Sequence, residues 1–259
     1  MAQSKYSISA FFPAYNAAGT IPSMVITVLL TLRQLTDDYE VIVVNDGSQD
    51  HTAIVLDELA RLYPGDVRVI HHPQNRGYGG ALRTGFYSST KDWIFYTDVD
   101  AQYDPLELAY LAALFSDDVD FINGWKIERN DPLHRIIIGR IYQYIIKLSF
   151  GLRLRDVDCD FRLMRREVFE RIQLQSDSGV ICVELMKKTQ DAGFRLTETP
   201  VHHFHRAYGK SQFFRFRRLA QVARDLTKLW YRLVWRKEAL LAAGEPTAAH
   251  VQPYADRSH

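Results

Sequence analysis

Apolar positions cluster in short runs separated by helix-length stretches through the first half of the chain. Five runs have the length and content of strands: YSISAFFPA (6–14), YEVIVVND (39–46), VRVIHH (67–72), DWIFYTDVD (92–100) and VDFINGW (119–125). Between them, apolar residues recur at helical spacing over about 20–35, 51–63, 78–89 and 105–116. Strand and helix alternating at this rhythm predict an α/β fold, Rossmann-like and doubly wound, with a mostly parallel sheet and helices on both faces. Helix starts agree: Gly47, Ser48 and Asp50 precede the second helix, and Asp104 stands before Pro105, a cap followed by proline in the first turn. Ligands of open α/β sheets bind at the carboxyl ends of the strands, so chemistry is sought there.

After Trp125 the rhythm changes. A basic, apolar helix over 132–150 is followed by RDVDCDFRLMRREVFERI, a helix over 179–192, a strand in FRLTETPVHHF and a basic, aromatic helix over about 212–238. Residues 239–259 lack periodic apolar content and are expected to form a flexible tail. The most apolar long stretch, LHRIIIGRIYQYIIKLSFG, carries Arg135, Arg140 and Lys147, which argues against a membrane span. No internal repeat and no linker divides the chain, so 1–238 is expected to be one domain.

Composition narrows the class without naming the chemistry. With 259 residues, 47% hydrophobic and 24% charged, the chain can bury a sizeable core. A net charge of +1 argues against bulk attraction to nucleic acid. The two cysteines, Cys159 and Cys182, form neither a disulfide framework nor a zinc pattern. The N-terminus enters its first strand without an apolar leader, from which a cytoplasmic location is expected.

The fourth strand runs into TDVDAQYDP, a concentration of like charge that is costly unless a cation sits within it. Asp98 and Asp100 would alternate along a straight strand, but a bend at Val99 lets both face one ion, and Gln102 adds a neutral oxygen. Such hard oxygen donors suit Mg²⁺ or Mn²⁺, bound through one or two carboxylates plus the phosphates of a substrate. A single D-x-D is a short, frequent pattern, and the alternative is a strand that merely ends beside a helix cap.

Three other strand ends carry matching features: FFPAYNAAGTI, VVNDGSQDHT and HHPQNRGYGGALRTG. Taken with D-x-D-x-Q, they resemble family 2 glycosyltransferases of GT-A fold, above all the branch that makes dolichyl- or polyprenyl-phosphate mannose and glucose. The resemblance implies a nucleotide site shaped by Pro13, Ala14, Tyr15, Asn16, Asp46, Ser48, Asn75, Gly77 and Asp98. It assigns Asp98, Asp100 and Gln102 to a metal bridging the diphosphate. A dinucleotide fingerprint in GYGGALRTG fails because Leu82 occupies the third glycine position and the segment follows the third strand instead of the first.

The resemblance continues into the second half. Lys126, Arg129, Arg135 and Arg140 are candidates to meet acceptor phosphate, as forks or point charges. RDVDCDFRLMRR matches the family's acidic element, with Asp160 where glycine is usual, so Asp156, Asp158 and Asp160 are the catalytic candidates, as base or as orienting groups. Arg206, Gly209, Lys210 and Ser211 match an R-x-x-G-x-S segment expected to close over the phosphates. His202, His203 and His205 lack convergent metal-ligand spacing.

Together these features lead to the expectation of an inverting, metal-dependent enzyme moving a hexose from a GDP- or UDP-sugar to a polyprenyl phosphate. It has a nucleotide half over 1–125, an acceptor half over 126–211 and peripheral membrane contact through the helix at 212–238, at the cytoplasmic membrane face. A soluble or glycan hydroxyl acceptor, or a non-catalytic nucleotide-sugar-binding subunit, are the alternatives.

Overall fold

The computed structural model describes residues 6–127, 133–205 and 216–238. One sheet contains β1 (Ile8–Ala14), β2 (Tyr39–Asn45), β3 (Val67–His71), β4 (Trp93–Thr97), β5 (Phe121–Ile127), β6 (Phe161–Arg165) and β7 (Leu196–His202), in the order β3-β2-β1-β4-β6-β5-β7. Neighbours pair in parallel except at β6, which runs antiparallel to both β4 and β5. The helices are α1 (Ile21–Leu35), α2 (Thr52–Leu62), α3 (Gly77–Ser88), α4 (Leu108–Ala112), α5 (Leu133–Phe150), α6 (Val168–Arg171), α7 (Ile181–Asp191) and α8 (Phe216–Trp230).

β1 is buried along its whole length, as a strand covered on both faces must be. Alternation sends Phe11 into one core and Phe12 into the other. The Phe12 side is closed by Met24, Val28 and Leu32 of α1, Leu56 of α2 and Leu108 of α4. The Phe11 side is closed by Phe86 of α3, Ile146 of α5, Phe169 of α6, Leu185 of α7 and Leu229 of α8. Strand order steps outward from β1 to β3 and then returns to β4 on β1's other side, so the crevice between β1 and β4 is the switch point where such sheets place ligands.

Several expected boundaries move. The run at 92–100 is strand only to Thr97, because the chain bends over Val99–Tyr103, with Ala101 at φ 57°. The run at 119–125 pairs over Phe121–Ile127. Over 105–116 the helix is a 3-10 turn (Pro105–Glu107) leading into the five-residue α4, and Asp104 caps it, its Oδ1 accepting the Leu106 N–H at 2.9 Å. The helix expected over 212–238 is α-helical to Trp230 and finishes as one π turn, Tyr231–Trp235.

The largest departure is β6, which alternation does not announce. Phe161 and Leu163 enter one core and Met164 the other, but the position between Phe161 and Leu163 is Arg162, fully buried. A charge at an inward position breaks the pattern by which a half-buried strand is recognised.

Candidate active site

The ends of β1 and β2 are tied to one another. Ala14 pairs with Asn45, and the next turns clasp: Asn16 N–H donates to Ser48 Oγ (3.0 Å), Gln49 N–H to Asn16 Oδ1 (2.8 Å), and Ser48 N–H to Asn45 Oδ1 (3.1 Å). Pro13 and Ala14 are buried in the strand, whereas Tyr15 is exposed and Asn16 takes φ 52°. Asp46 is buried, its Oδ1 bonded to His72 Nδ1 (2.7 Å) and accepting the Arg76 N–H (2.8 Å). Asn75 Nδ2 donates to the Asp46 carbonyl at 3.2 Å. Gly47, at φ 66°, lets the two loops touch, since a β-carbon there would lie 2.6 Å from the Asn75 nitrogen. Pro13–Asn16, Asp46–Ser48 and Asn75–Gly77 thus form one hydrogen-bonded unit at adjacent strand ends.

The glycines that open α3 serve a different contact. Gly79 N–H donates to the Asp177 carbonyl at 2.9 Å, and a β-carbon on Gly79 would lie 2.2 Å from the Ser176 oxygen. Arg83 clamps the same strap, donating to the Gln175 and Ser176 carbonyls at 2.7 Å each. The close backbone approach that GYGG permits is to the protein's own chain at 176–177.

Beyond β4, the bend holds Asp98, Asp100 and Gln102. The Tyr78 hydroxyl donates to Asp98 Oδ1 at 2.8 Å; burial, then the charges of Asp160 and Asp98, push this phenol well above its ordinary pKa and keep it a donor. Gln102 N–H donates to Asp100 Oδ1 (3.1 Å), and Gln102 is stitched to the end of β7 by Nε2 to the Phe204 carbonyl (3.2 Å) and by its own carbonyl accepting the Phe204 N–H (2.8 Å). Among the described residues no group of three or more His, Cys, Asp or Glu forms a protein-only metal cage. Two half-buried carboxylates with a neighbouring amide oxygen fit Mg²⁺ or Mn²⁺ when substrate phosphates complete the shell. His202 is otherwise engaged, with its ring and its N–H both bonded to Glu107.

The antiparallel sense of β6 delivers the acidic loop to this place. Phe161 pairs with Thr97, so Asp160 stands beside the end of β4. Asp160 Oδ1 accepts from the Tyr96 hydroxyl (3.2 Å) and the Cys182 thiol (3.1 Å), and lies 3.6 Å from Arg162 Nη1. Arg162 donates to Asn123 Oδ1 (3.0 Å), the Val157 carbonyl (2.6 Å) and Tyr96. It therefore braces the loop from beneath.

The acidic loop offers its carboxyls different surroundings. Asp156 is buried and its carboxylate is taken by Gln143 Nε2 (2.5 Å), the Asp158 N–H (3.0 Å) and the Lys126 N–H (3.3 Å), which is the bonding of a structural tie. Asp158 is pushed up to about 6, first by burial and then by Asp156 and Asp160, against the opposing pull of Lys126 and Arg162. Lys126 donates to the Asp158 carbonyl at 2.6 Å; burial works against its charge, but Asp156, Cys159, Asp158 and Asp160 together hold it above its ordinary value. A carboxyl raised as Asp158 is suits proton exchange near neutrality.

Lys126 is thus drawn into the acidic loop, whereas Arg140 is exposed on α5. Arg129, Arg206, Gly209, Lys210 and Ser211 lie outside the described residues, as does the side chain of Arg135. Sequence reasoning missed Tyr78, Tyr96, Asn123, Gln143, Arg162 and Cys182. Of these only Arg162 left a signal, a lone cation inside the apolar run FRLM.

A mostly parallel sheet with nucleotide-type loops at one end and an acidic bend at the switch point defines a GT-A architecture. The chain belongs to glycosyl transferase family 2, whose profile matches residues 9–173. It is 27% identical over 219 residues to the undecaprenyl-phosphate 4-deoxy-4-formamido-L-arabinose transferase of Proteus mirabilis (strain HI4320), an alignment covering 85% of this chain and 66% of that protein. It is 32% identical over 203 residues to glycosyltransferase AglD of Haloferax volcanii, covering 75% of this chain and 32% of the relative. The chain therefore spans just under two thirds of the first relative's length and about a third of the second's. In fold it is similar to glucosyl-3-phosphoglycerate synthase from Mycobacterium tuberculosis in complex with Mn²⁺, UDP and phosphoglyceric acid, with a TM-score of 0.67 at 18% identity over 88% of this chain and 78% of that one. The same synthase with Mg²⁺ and UDP gives 0.65 at 18% identity, over 88% of this chain and 79% of that one.

Proposed function

We propose that this chain transfers a hexose, with inversion, from a nucleoside-diphosphate sugar to a polyprenyl phosphate at a membrane surface. The observation that carries the proposal is the meeting, at one end of the sheet, of the clasped β1–β2–β3 loops with the Asp98–Gln102 bend and the Asp156–Asp160 loop. The first set suits a nucleotide, the second a diphosphate-bound cation, the third an acceptor. Asp98 and Asp100, with Gln102, would hold Mg²⁺ or Mn²⁺, which supplies Lewis-acid neutralisation of the leaving diphosphate. Tyr78 fixes Asp98, and Lys126 places a cation beside the acceptor loop. The acceptor oxygen bonds to the anomeric carbon as the bond to the diphosphate breaks on the opposite face, and a phosphate acceptor arrives already ionised. The names of the P. mirabilis relative and its homologues favour the lipid phosphate, and the Mn²⁺ and Mg²⁺ in the synthase complexes favour the metal.

One observation favours a second reading. Asp158, pushed up to about 6, has the poise of a general base, which a hydroxyl acceptor requires and a phosphate does not. Nucleotide release from a panel of UDP- and GDP-sugars, with and without polyprenyl phosphate and Mn²⁺, separates the cases. Release dependent on polyprenyl phosphate and tolerant of Asp158→Asn supports the proposal; release only with a hydroxyl acceptor and lost in that variant supports the alternative. No release with any donor overturns both.

A further inference from the structure

α5 is apolar on two sides. Inward, Ile146 and Phe150 join the core, Tyr142 packs against it, and Gln143 holds Asp156 of the acidic loop. Outward, Ile137, Ile138, Ile141, Tyr144, Ile145 and Leu148 are all exposed, Tyr144 at 69% and Leu148 at 73%. At 100° and 1.5 Å per residue these positions fall within an arc of about 120° and a length of roughly 16 Å. Single exposed apolar residues are ordinary, but a continuous stripe on one helix face marks a surface that is covered in use.

Charge selects what covers it. From 133 to 150 there is no Asp or Glu, and Arg140 and Lys147 fall along one flank of the stripe. The far end of α5 is joined to α8, where Trp230 Nε1 donates to the Ser149 carbonyl at 2.9 Å. That junction adds exposed Tyr231 and Trp235, with Arg224 and Lys228 exposed on α8. Apolar stripe, interfacial aromatics and an excess of cations, with Asp225 beside Arg224 the one carboxylate on the two helices, match an anionic bilayer surface. A second copy of the chain would bring the same cations face to face, which is unfavourable.

We propose that the outward face of α5 is the surface by which the protein seats on anionic lipid, with the α8 junction at its edge. This rests on the polyprenyl phosphate acceptor proposed above and names the surface that serves it. No helix among the described residues is long and apolar enough to cross a membrane, so attachment of the described part is by a face. Because Gln143 holds the acidic loop from the opposite side of the same helix, seating brings that loop within about one helix diameter, ~10 Å, of the lipid.

The test is co-sedimentation of the full chain with phosphatidylglycerol-containing and with purely phosphatidylcholine vesicles, comparing wild type with Ile141→Asp and Leu148→Asp. Both sites are exposed, so circular dichroism and melting should match wild type. The expected result is salt-sensitive binding to the anionic vesicles, weakened about tenfold or more by each substitution. Equal binding by wild type and variants overturns the inference, as does failure of wild type to bind. Self-association of wild type that the variants abolish, without vesicle binding, also overturns it and identifies a second copy as the occupant. Turnover of a short, water-soluble prenyl phosphate separates this from the functional proposal. Variants that keep it and lose turnover of vesicle-embedded polyprenyl phosphate support both. Stripe-dependent vesicle binding with no prenyl phosphate turnover by wild type supports the surface and overturns the acceptor.

Discussion

Replacing Asp158 by Asn removes a charge that the fold holds at a cost. The carboxyl is raised from 3.8 to about 6, with burial the largest cause. At 1.36 kcal/mol per pKa unit this is about 3 kcal/mol of native-state penalty, and nearer 2 because part of the residue reaches solvent. The sign follows from proton uptake. Between 3.8 and about 6 the native state binds a proton that the unfolded chain does not, so stability falls as pH rises through that window and the full penalty stands above it. Both hydrogen bonds that fix Asp158 here are made by its main chain, N–H to Asp156 Oδ1 and carbonyl from Lys126, and survive the substitution. Asp158→Asn should therefore stabilise the protein at pH 8 by about 2 kcal/mol, a rise of roughly 4–8 °C in Tm, and the gain should vanish by pH 4. Urea denaturation of both proteins at half-unit steps from pH 4 to 8 measures it. A variant no more stable than wild type at pH 8, or a gap that widens in acid, refutes the reasoning.

Three further outcomes are expected from the geometry. Gly79→Ala puts a β-carbon 2.2 Å from the Ser176 oxygen and 2.7 Å from the Asp177 carbonyl carbon, both main chain, and should cost about 2–4 kcal/mol in urea denaturation; Gly19→Ala, with no atom within 4 Å, is the near-neutral control. Arg162→Met leaves Asn123 Oδ1 and the Val157 carbonyl buried without their donor and should destabilise by about 3–5 kcal/mol in the same assay, with Arg162→Lys intermediate. His72→Phe removes the ring bonds to Asp46 (2.7 Å) and Thr84 (2.9 Å), and calorimetric titration with UDP and GDP should show affinity for the bound nucleotide down about tenfold, an unchanged Kd detaching Asp46 from the nucleotide site.

The parallel half of the fold was legible because each of its strands announces itself locally. PAYN, NDGS and N-x-G each close a run of apolar residues, and the structure joins them through bonds such as Asn16 to Ser48 and Asn75 to Asp46. Asp104 with Pro105 read correctly as a helix start. The second half of the chain was less legible. Asp156, Asp158 and Asp160 were found as a group, but nothing in RDVDCDF distinguishes the tied Asp156 from Asp158, because the difference lies in donors supplied by Gln143 and Lys126 from other elements. Nothing in GYGG announces what Gly79 meets, since its neighbours Ser176 and Asp177 lie almost a hundred residues away in the chain.

Taken by itself, then, the sequence determined the α/β class and the position of most elements, since periodicity, caps and turn residues are properties of neighbouring residues, and its strand-end motifs carried the resemblance to the family. Tertiary structure alone decided that β6 enters the sheet antiparallel, and that direction carries Asp160 to the end of β4 beside Asp98. It also decided which apolar side of α5 meets the sheet and which is left facing outward. Strand direction and the burial of Arg162 depend on what covers each element, and no local pattern encodes the cover.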